Sequence, residues 1–237
     1  MRSNFYWMTC LIVSHVLADF LLQPRKLIVL KKSFWGKFLH GAIHGVLAYL
    51  ICGQWSLWSL PVSIALSHML IDWIPKKDWQ WFIFDQAFHF LVCALLVFLL
   101  PFRNVIFLSP SRIGLMKMLI VTAGIVWTTT TTGILIGKIM SEHARRNRIQ
   151  LAGLINGGLW IGYLERMLIL VFVLFNMTSG IGFLITAKSI LRFSGVKDKQ
   201  KMAEYVLIGT LLSFGLAIVW SLLIQFVLKN IEMLGLD

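Results

Sequence analysis

Charge is scarce in this chain, and carboxylate is scarcest: 237 residues hold ten Asp and Glu against 22 Lys and Arg. Charged residues make up 14% of the sequence, little more than half of what a water-soluble domain carries, while 58% is hydrophobic. Cysteine is nearly absent. Cys10, Cys52 and Cys93 lie singly in apolar stretches with no CxxC, which argues against a disulfide framework or a thiolate zinc site and leaves them as small core residues. Proline is rare too, and Pro24, Pro75 and Pro101 fall where apolar runs end, positions that tolerate a missing N–H. No basic groove with interleaved aromatics accompanies the net charge of +12, so nucleic acid is not expected as a partner.

What the chain does have is long apolar runs, each near the roughly 20 residues that cross about 30 Å of hydrocarbon. The expected segments are 6–23, 37–53, 58–75, 82–101, 113–138, 151–176, 180–194 and 203–229. The first lacks a small-residue cleavage site and carries His15 and Asp19, so it reads as a retained helix rather than a signal peptide. The seventh is short for an upright span and reads as a half-helix shielded by protein. Basic residues alternate between connections: Arg25, Lys26, Lys31, Lys32 and Lys37, then Lys76 and Lys77, then Lys138, Arg145, Arg146 and Arg148, then Lys188, Arg192, Lys197, Lys199 and Lys201. Placing these connections in the cytoplasm puts both termini outside. The expected fold is an all-α, polytopic integral membrane bundle of about eight segments. Its expected domains are 1–110, bearing the histidines, and 111–237, with basic inner loops. The two halves share no inverted repeat, which disfavours the commonest transporter designs.

The first half carries ionisable residues inside its apolar runs, in four pairs spaced by four: His15 with Asp19, His40 with His44, His68 with Asp72, and Asp85 with His89. That spacing puts both members of a pair on one helix face. Each such group costs roughly 2.5 to 3.5 kcal/mol near the bilayer centre. Four helices so burdened require that the groups satisfy one another, a metal or a polar cavity. With the amino terminus outside, all four pairs fall in one layer, on the order of 5 to 12 Å from the cytoplasmic boundary at 1.5 Å rise per residue. A shared layer favours a metal site over isolated packed polar residues or a metal-free proton relay. Imidazole and carboxylate suit zinc, or manganese and iron where oxygen dominates. Eight donors exceed one catalytic zinc's needs, so two metals bind or some residues orient the others.

The segments His15-Val-Leu-Ala-Asp19-Phe-Leu-Leu-Gln23, His40 with His44, His68-Met-Leu-Ile-Asp72 and Asp85-Gln86-Ala-Phe-His89 resemble a bacterial membrane-protein family known as domain of unknown function 3307. The resemblance covers about the first 100 residues. Gly162-Tyr-Leu-Glu165-Arg166, Ala187-Lys188-Ser-Ile-Leu-Arg192-Phe and Glu204-Tyr-Val-Leu-Ile-Gly209-Thr210 are similar to longer members. Where members often carry a Lys three residues after the third-helix Asp, this chain has Pro75. The resemblance implies membership, a membrane fold and a bacterial inner-membrane location, and no activity.

The expected function is a metal-dependent hydrolase, or an acyl or phosphoryl transferase, acting on a lipid or lipid-linked substrate from the cytoplasmic leaflet. The expected ligands of a zinc ion are His15, His44, His68 and His89, which share the deeper layer. Asp19, Asp72 and Asp85 are ligands or the general base, with His40, Gln23 and Gln86 supporting them from outside. Lys188 and Arg192, four apart, suit an anionic head group, against the plainer reading of internal ion pairing with Glu165 and Glu204 nearby. His143 reads as a solvated loop residue. The rival is a divalent-metal or proton transporter, which would need polar residues through both leaflets; Val92 to Leu100 and Leu47 to Ile51 are apolar instead. An accessory protein with a closed, structural metal is the third reading. In the second half, Gly153, Gly157, Gly158 and Gly162 suggest close helix packing, and the run Thr128 to Thr132 suggests bonds to preceding carbonyls.

Overall fold

A computed structural model describes residues 2–74, 78–103, 109–149, 157–193 and 200–233, with backbone alone at 25 and 191–193. Every regular element among these residues is helical: α1 (Arg2–Phe20), α2 (Arg25–Leu30), α3 (Phe34–Cys52), α4 (Ser59–Ile71), α5 (Trp79–Leu99), α6 (Pro110–Val126), a π-helical turn (Trp127–Thr131), α7 (Thr132–Arg146), α8 (Gly157–Leu174), α9 (Thr178–Phe193) and α10 (Gln200–Met233). Four stretches are long and apolar enough to cross a membrane: Trp79–Leu99, Pro110–Arg146, Gly157–Leu174 and Gln200–Met233. The 19-residue helices α1 and α3 are not among them. Both carry ionisable residues, and α4 is only 13 residues long.

The chain divides into two compact units, residues 1–123 with 227–237 and residues 124–226. In the first, α3 packs on α4, α1 on α3 and α5, and α4 on α5, so four helices close a ring. The ends of α3 are defined by sequence. Ser33 is its N-cap and accepts from the Gly36 amide at 3.1 Å, while Gly53 ends it in the left-handed region at φ 66°. Arg112 donates to the carbonyls of Ile51 (2.5 Å) and Cys52 (3.0 Å), placing a cation on the negative end of that helix.

The contact that matters most for the site is between α3 and α4. A Cβ on Gly41 would stand 2.6 Å from the Ala65 carbonyl oxygen, and one on Gly45 would stand 2.4 Å from that of Pro61. The two helices therefore touch backbone to backbone along a Gly-xxx-Gly edge. His40 and His44 directly precede these glycines, so the close approach carries both imidazoles toward α4.

In the second unit, α8 packs on the π turn, α7 and α9. Ile169, Val173, Phe214 and Ala217 form its buried core. The π turn leaves the Thr129 carbonyl to Arg166, which donates to it at 3.0 Å and to Ser213 Oγ at 3.2 Å. Thr129 and Thr132 hydroxyls bond back to Ile125 and Trp127 carbonyls, as the threonine run suggested. The glycines of α8 behave differently from the sequence expectation. Gly158 has open space, and Gly162 makes room for the Arg166 guanidinium of its own helix, at 2.8 Å from a would-be Cβ, rather than for a neighbouring helix. Gly153 lies outside the described residues.

Gly45→Leu is expected to force α4 from α3 and to destabilise the protein by about 1–3 kcal/mol, the usual cost of overpacking. Gly137→Ala meets no neighbouring atom and should not destabilise. Thermal unfolding in detergent distinguishes the two; equal midpoints would refute the close α3–α4 contact.

Candidate metal centre

The ring of α1, α3, α4 and α5 points all eight paired residues inward. His15, Asp19, His40, His44, His68, Asp85 and His89 are each buried to 7% exposure or less, with Gln86 beside them at 6%. The imidazoles crowd together, with ring centroids 3.6 Å apart for His44 and His68, 4.0 Å for His68 and His89, 4.8 Å for His15 and His89, and 4.6 Å for His40 and His44. The four pairs, expected at a common depth, are brought into one cluster.

Asp19 is the hub. Its Oδ1 lies 2.9 Å from His40 Nε2, 3.4 Å from His44 Nε2 and 3.8 Å from His68 Nε2, and its Oδ2 lies 3.6 Å from His15 Nε2. One carboxylate thus serves imidazoles from α1, α3 and α4. It cannot satisfy them all. His40 Nδ1, His44 Nε2, both ring nitrogens of His68, and His89 Nε2 are buried without a hydrogen-bond partner. Each such atom costs about 1–3 kcal/mol in lost solvation. A cluster of orphaned imidazole nitrogens around a carboxylate is what a cation would relieve.

Donor atoms of His15, Asp19, His44 and His68 all lie within 4.8 Å of one another, a set that could hold a metal ion. The same spacing holds for His40, His68 and Asp72, and for Asp72, Asp85 and His89. His89, expected beside the other three deep histidines as a ligand, stacks on His68 but groups its donor atom with Asp72 and Asp85. A void of about 10 Å³, roughly one water, is lined by Ser14, Ser67, His15, His44, His68 and His89 among others.

Residues 7–116 match the family model described as a protein of unknown function, DUF3307. These residues are a DUF3307 domain. The match encloses all four His/Asp pairs and the ring of helices that holds them. Neither the curated proteins nor the solved structures yield a match to the chain.

Within the DUF3307 domain, the supporting polar residues connect the donors. Gln86 reaches His15 Nε2 with Oε1 at 3.2 Å and donates from Nε2 to Asp85 Oδ2 at 3.1 Å, bridging α1 and α5. Lys31, at the end of α2, donates to Asp72 Oδ2 at 2.7 Å. Gln23, oriented with its amide nitrogen toward the Asp19 carbonyl, accepts from Lys31 Nζ at 2.9 Å. Sequence reasoning counted Lys31 among the loop charges and missed this contact. The one signal for it was its place in the short connection that returns the chain from α1 to α3.

The remaining candidates lie in the second unit. Lys188 forms an ion pair with Glu165 at 2.6 Å and stands over the Phe214 ring, so its charge is matched internally. The side chain of Arg192 lies outside the described residues. His143 is partly exposed on α7, 2.9 Å from Asn147 through its carbonyl, and its ring stacks with Tyr205.

Burial makes a chemical prediction. In metal-free protein, diethyl pyrocarbonate mapped by mass spectrometry should label His143 and leave the five histidines of the domain at least about tenfold slower, since they are 0 to 4% exposed. Labelling of His44 or His68 as fast as His143 would contradict the closed ring.

Proposed function

We propose that the domain is a metal-dependent, membrane-embedded hydrolase or group transferase acting on a lipid or lipid-linked substrate. The observation that carries the metal is the set of orphaned imidazole nitrogens on His40, His44, His68 and His89, crowded around Asp19. Three imidazoles, His15, His44 and His68, suit zinc and leave a fourth position for water. A zinc ion there would supply a Lewis acid and an activated water near neutral pH. His40 fixes the Asp19 carboxylate through its 2.9 Å contact, which sets that carboxylate to accept a proton from the water. Asp85 is tied to the His15 side of the cluster through Gln86, which holds its carboxylate as a further ligand.

Access supports a lipid. A small cleft of about 10 Å³ between α4 and α5, lined by Ile71, Ile74, Trp81 and Phe88 with Asp85 as its polar wall, marks the seam that an acyl chain would have to widen. Ile74, Trp81 and Phe88 are exposed, as an acyl chain entering sideways requires. The eight apolar stretches are membrane segments in this reading, the seventh as a half-helix, with both termini outside, and the site then faces the cytoplasmic leaflet of a bacterial inner membrane. Lys188, already paired with Glu165, contributes no free charge to a head group.

The test is metal content followed by turnover. Purified protein should carry a divalent ion that His15→Ala, His44→Ala and His68→Ala remove and His143→Ala retains, measured by elemental analysis. His40→Ala should cost less, roughly 10 to 100-fold in affinity or activity, because it acts through Asp19. Incubation with extracted bacterial lipid should release a cleaved product that chelation abolishes. Protein that folds, stays metal-free after exposure to zinc, manganese and iron, and leaves lipid unchanged would overturn the assignment.

A further inference from the structure

Of the three donor sets in the ring, two share no member, and the third, His40, His68 and Asp72, overlaps both. His15, Asp19, His44 and His68 offer three nitrogens and one carboxylate; Asp72, Asp85 and His89 offer two carboxylates and one nitrogen. The first composition suits zinc. The second is richer in oxygen, and oxygen donors shift preference toward manganese or iron(II).

Several contacts make the second set more than a pair of acidic residues. His89 Nε2 is buried, has no hydrogen-bond partner and lies 3.6 Å from Asp85 Oδ1. Gln86 holds Asp85 through its other oxygen, Oδ2, leaving Oδ1 on the His89 side. Asp72 is the C-cap of α4, so its carboxylate adds to the negative end of that helix dipole, where a cation is favoured. A cation is indeed there: the Lys31 ammonium, 2.7 Å from Asp72 Oδ2. Lys31 hangs from the end of the six-residue α2, anchored to the cluster by Gln23 and Asp72.

We propose that Asp72, Asp85 and His89 form a second, oxygen-rich divalent-cation site beside the histidine-rich one, and that Lys31 occupies Asp72 in competition with the metal. This rests on the metal-dependent reading above and divides its donors between two ions. Neighbouring two-metal sites are a recurrent solution for hydrolysing phosphate esters and amides, because one ion activates the attacking oxygen and the other steadies the leaving one. His68 and His89, whose rings stack at 4.0 Å, stand one in each set and place the two ions as neighbours.

Full-length protein in nanodiscs, stripped with chelator and then equilibrated with zinc and manganese, tests the division. Ion stoichiometry is read by elemental analysis, and bound Mn(II) by electron paramagnetic resonance. The unaltered chain should hold two ions. Asp85→Asn and His89→Ala should each leave one, the zinc; His44→Ala should lose zinc and keep manganese. Lys31→Met should tighten manganese by about tenfold or more, the lower end of what supporting residues contribute, and a gain of affinity cannot arise from misfolding. One ion per chain, lost equally in Asp85→Asn and His44→Ala, would overturn the second site and leave a single shared centre. Two ions untouched by Asp85→Asn and His89→Ala, or weaker manganese binding in Lys31→Met, would overturn it as well. No ion under any condition would sink the metal reading itself.

Discussion

Asp19 faces imidazoles from three helices, and the rest of the domain is arranged around that one carboxylate. A single carboxylate in hydrocarbon is costly, and so is a single unpartnered imidazole; together they offset one another only if the helices bring them within about 4 Å. The Gly41 and Gly45 edge makes this possible, because any side chain there would hold α4 away from α3 and His68 away from Asp19. Packing and chemistry are therefore one constraint. Loosening the α3–α4 contact strands charged and polar groups in an apolar medium, and removing the polar groups removes the reason for the close contact. The cluster remains short of partners even when assembled, since ring nitrogens of His40, His44, His68 and His89 stay without a hydrogen bond.

Much of this was legible in the sequence. The four-residue spacing of the His/Asp pairs and the alternation of basic connections were enough to expect a single cluster, and all eight paired residues meet in one ring of helices. Less legible was how they divide. Depth along a helix axis groups His89 with the other deep histidines, but the rotation of α5 turns its donor atom toward Asp72 and Asp85, and rotation is not readable from depth. Lys31 was lost among the loop charges because its one signal, a place in the short connection between α1 and α3, is shared by its basic neighbours Lys26 and Lys32. Small-residue spacing was noticed in α8, where glycine accommodates Arg166, and overlooked at Gly41 and Gly45, where it governs the site.

The second unit pairs most of its buried polar groups internally and gathers no group of metal-competent donors among its described residues. Glu165 is answered by Lys188, and Arg166 by a carbonyl that the π turn releases and by Ser213. The buried carboxylate there has a cation as its partner, whereas Arg166 has neutral acceptors and a buried Nε without one. In the DUF3307 domain the donors outnumber their partners instead, and that surplus separates a site from a scaffold.

X-ray absorption at the zinc edge of the reconstituted protein tests the central claim most directly. The account predicts a first shell of nitrogen and oxygen near 2.0–2.1 Å, with the outer-shell scattering of about three imidazoles and no sulfur. A sulfur shell near 2.3 Å, or a purely aqueous oxygen shell without imidazole scattering, would contradict it.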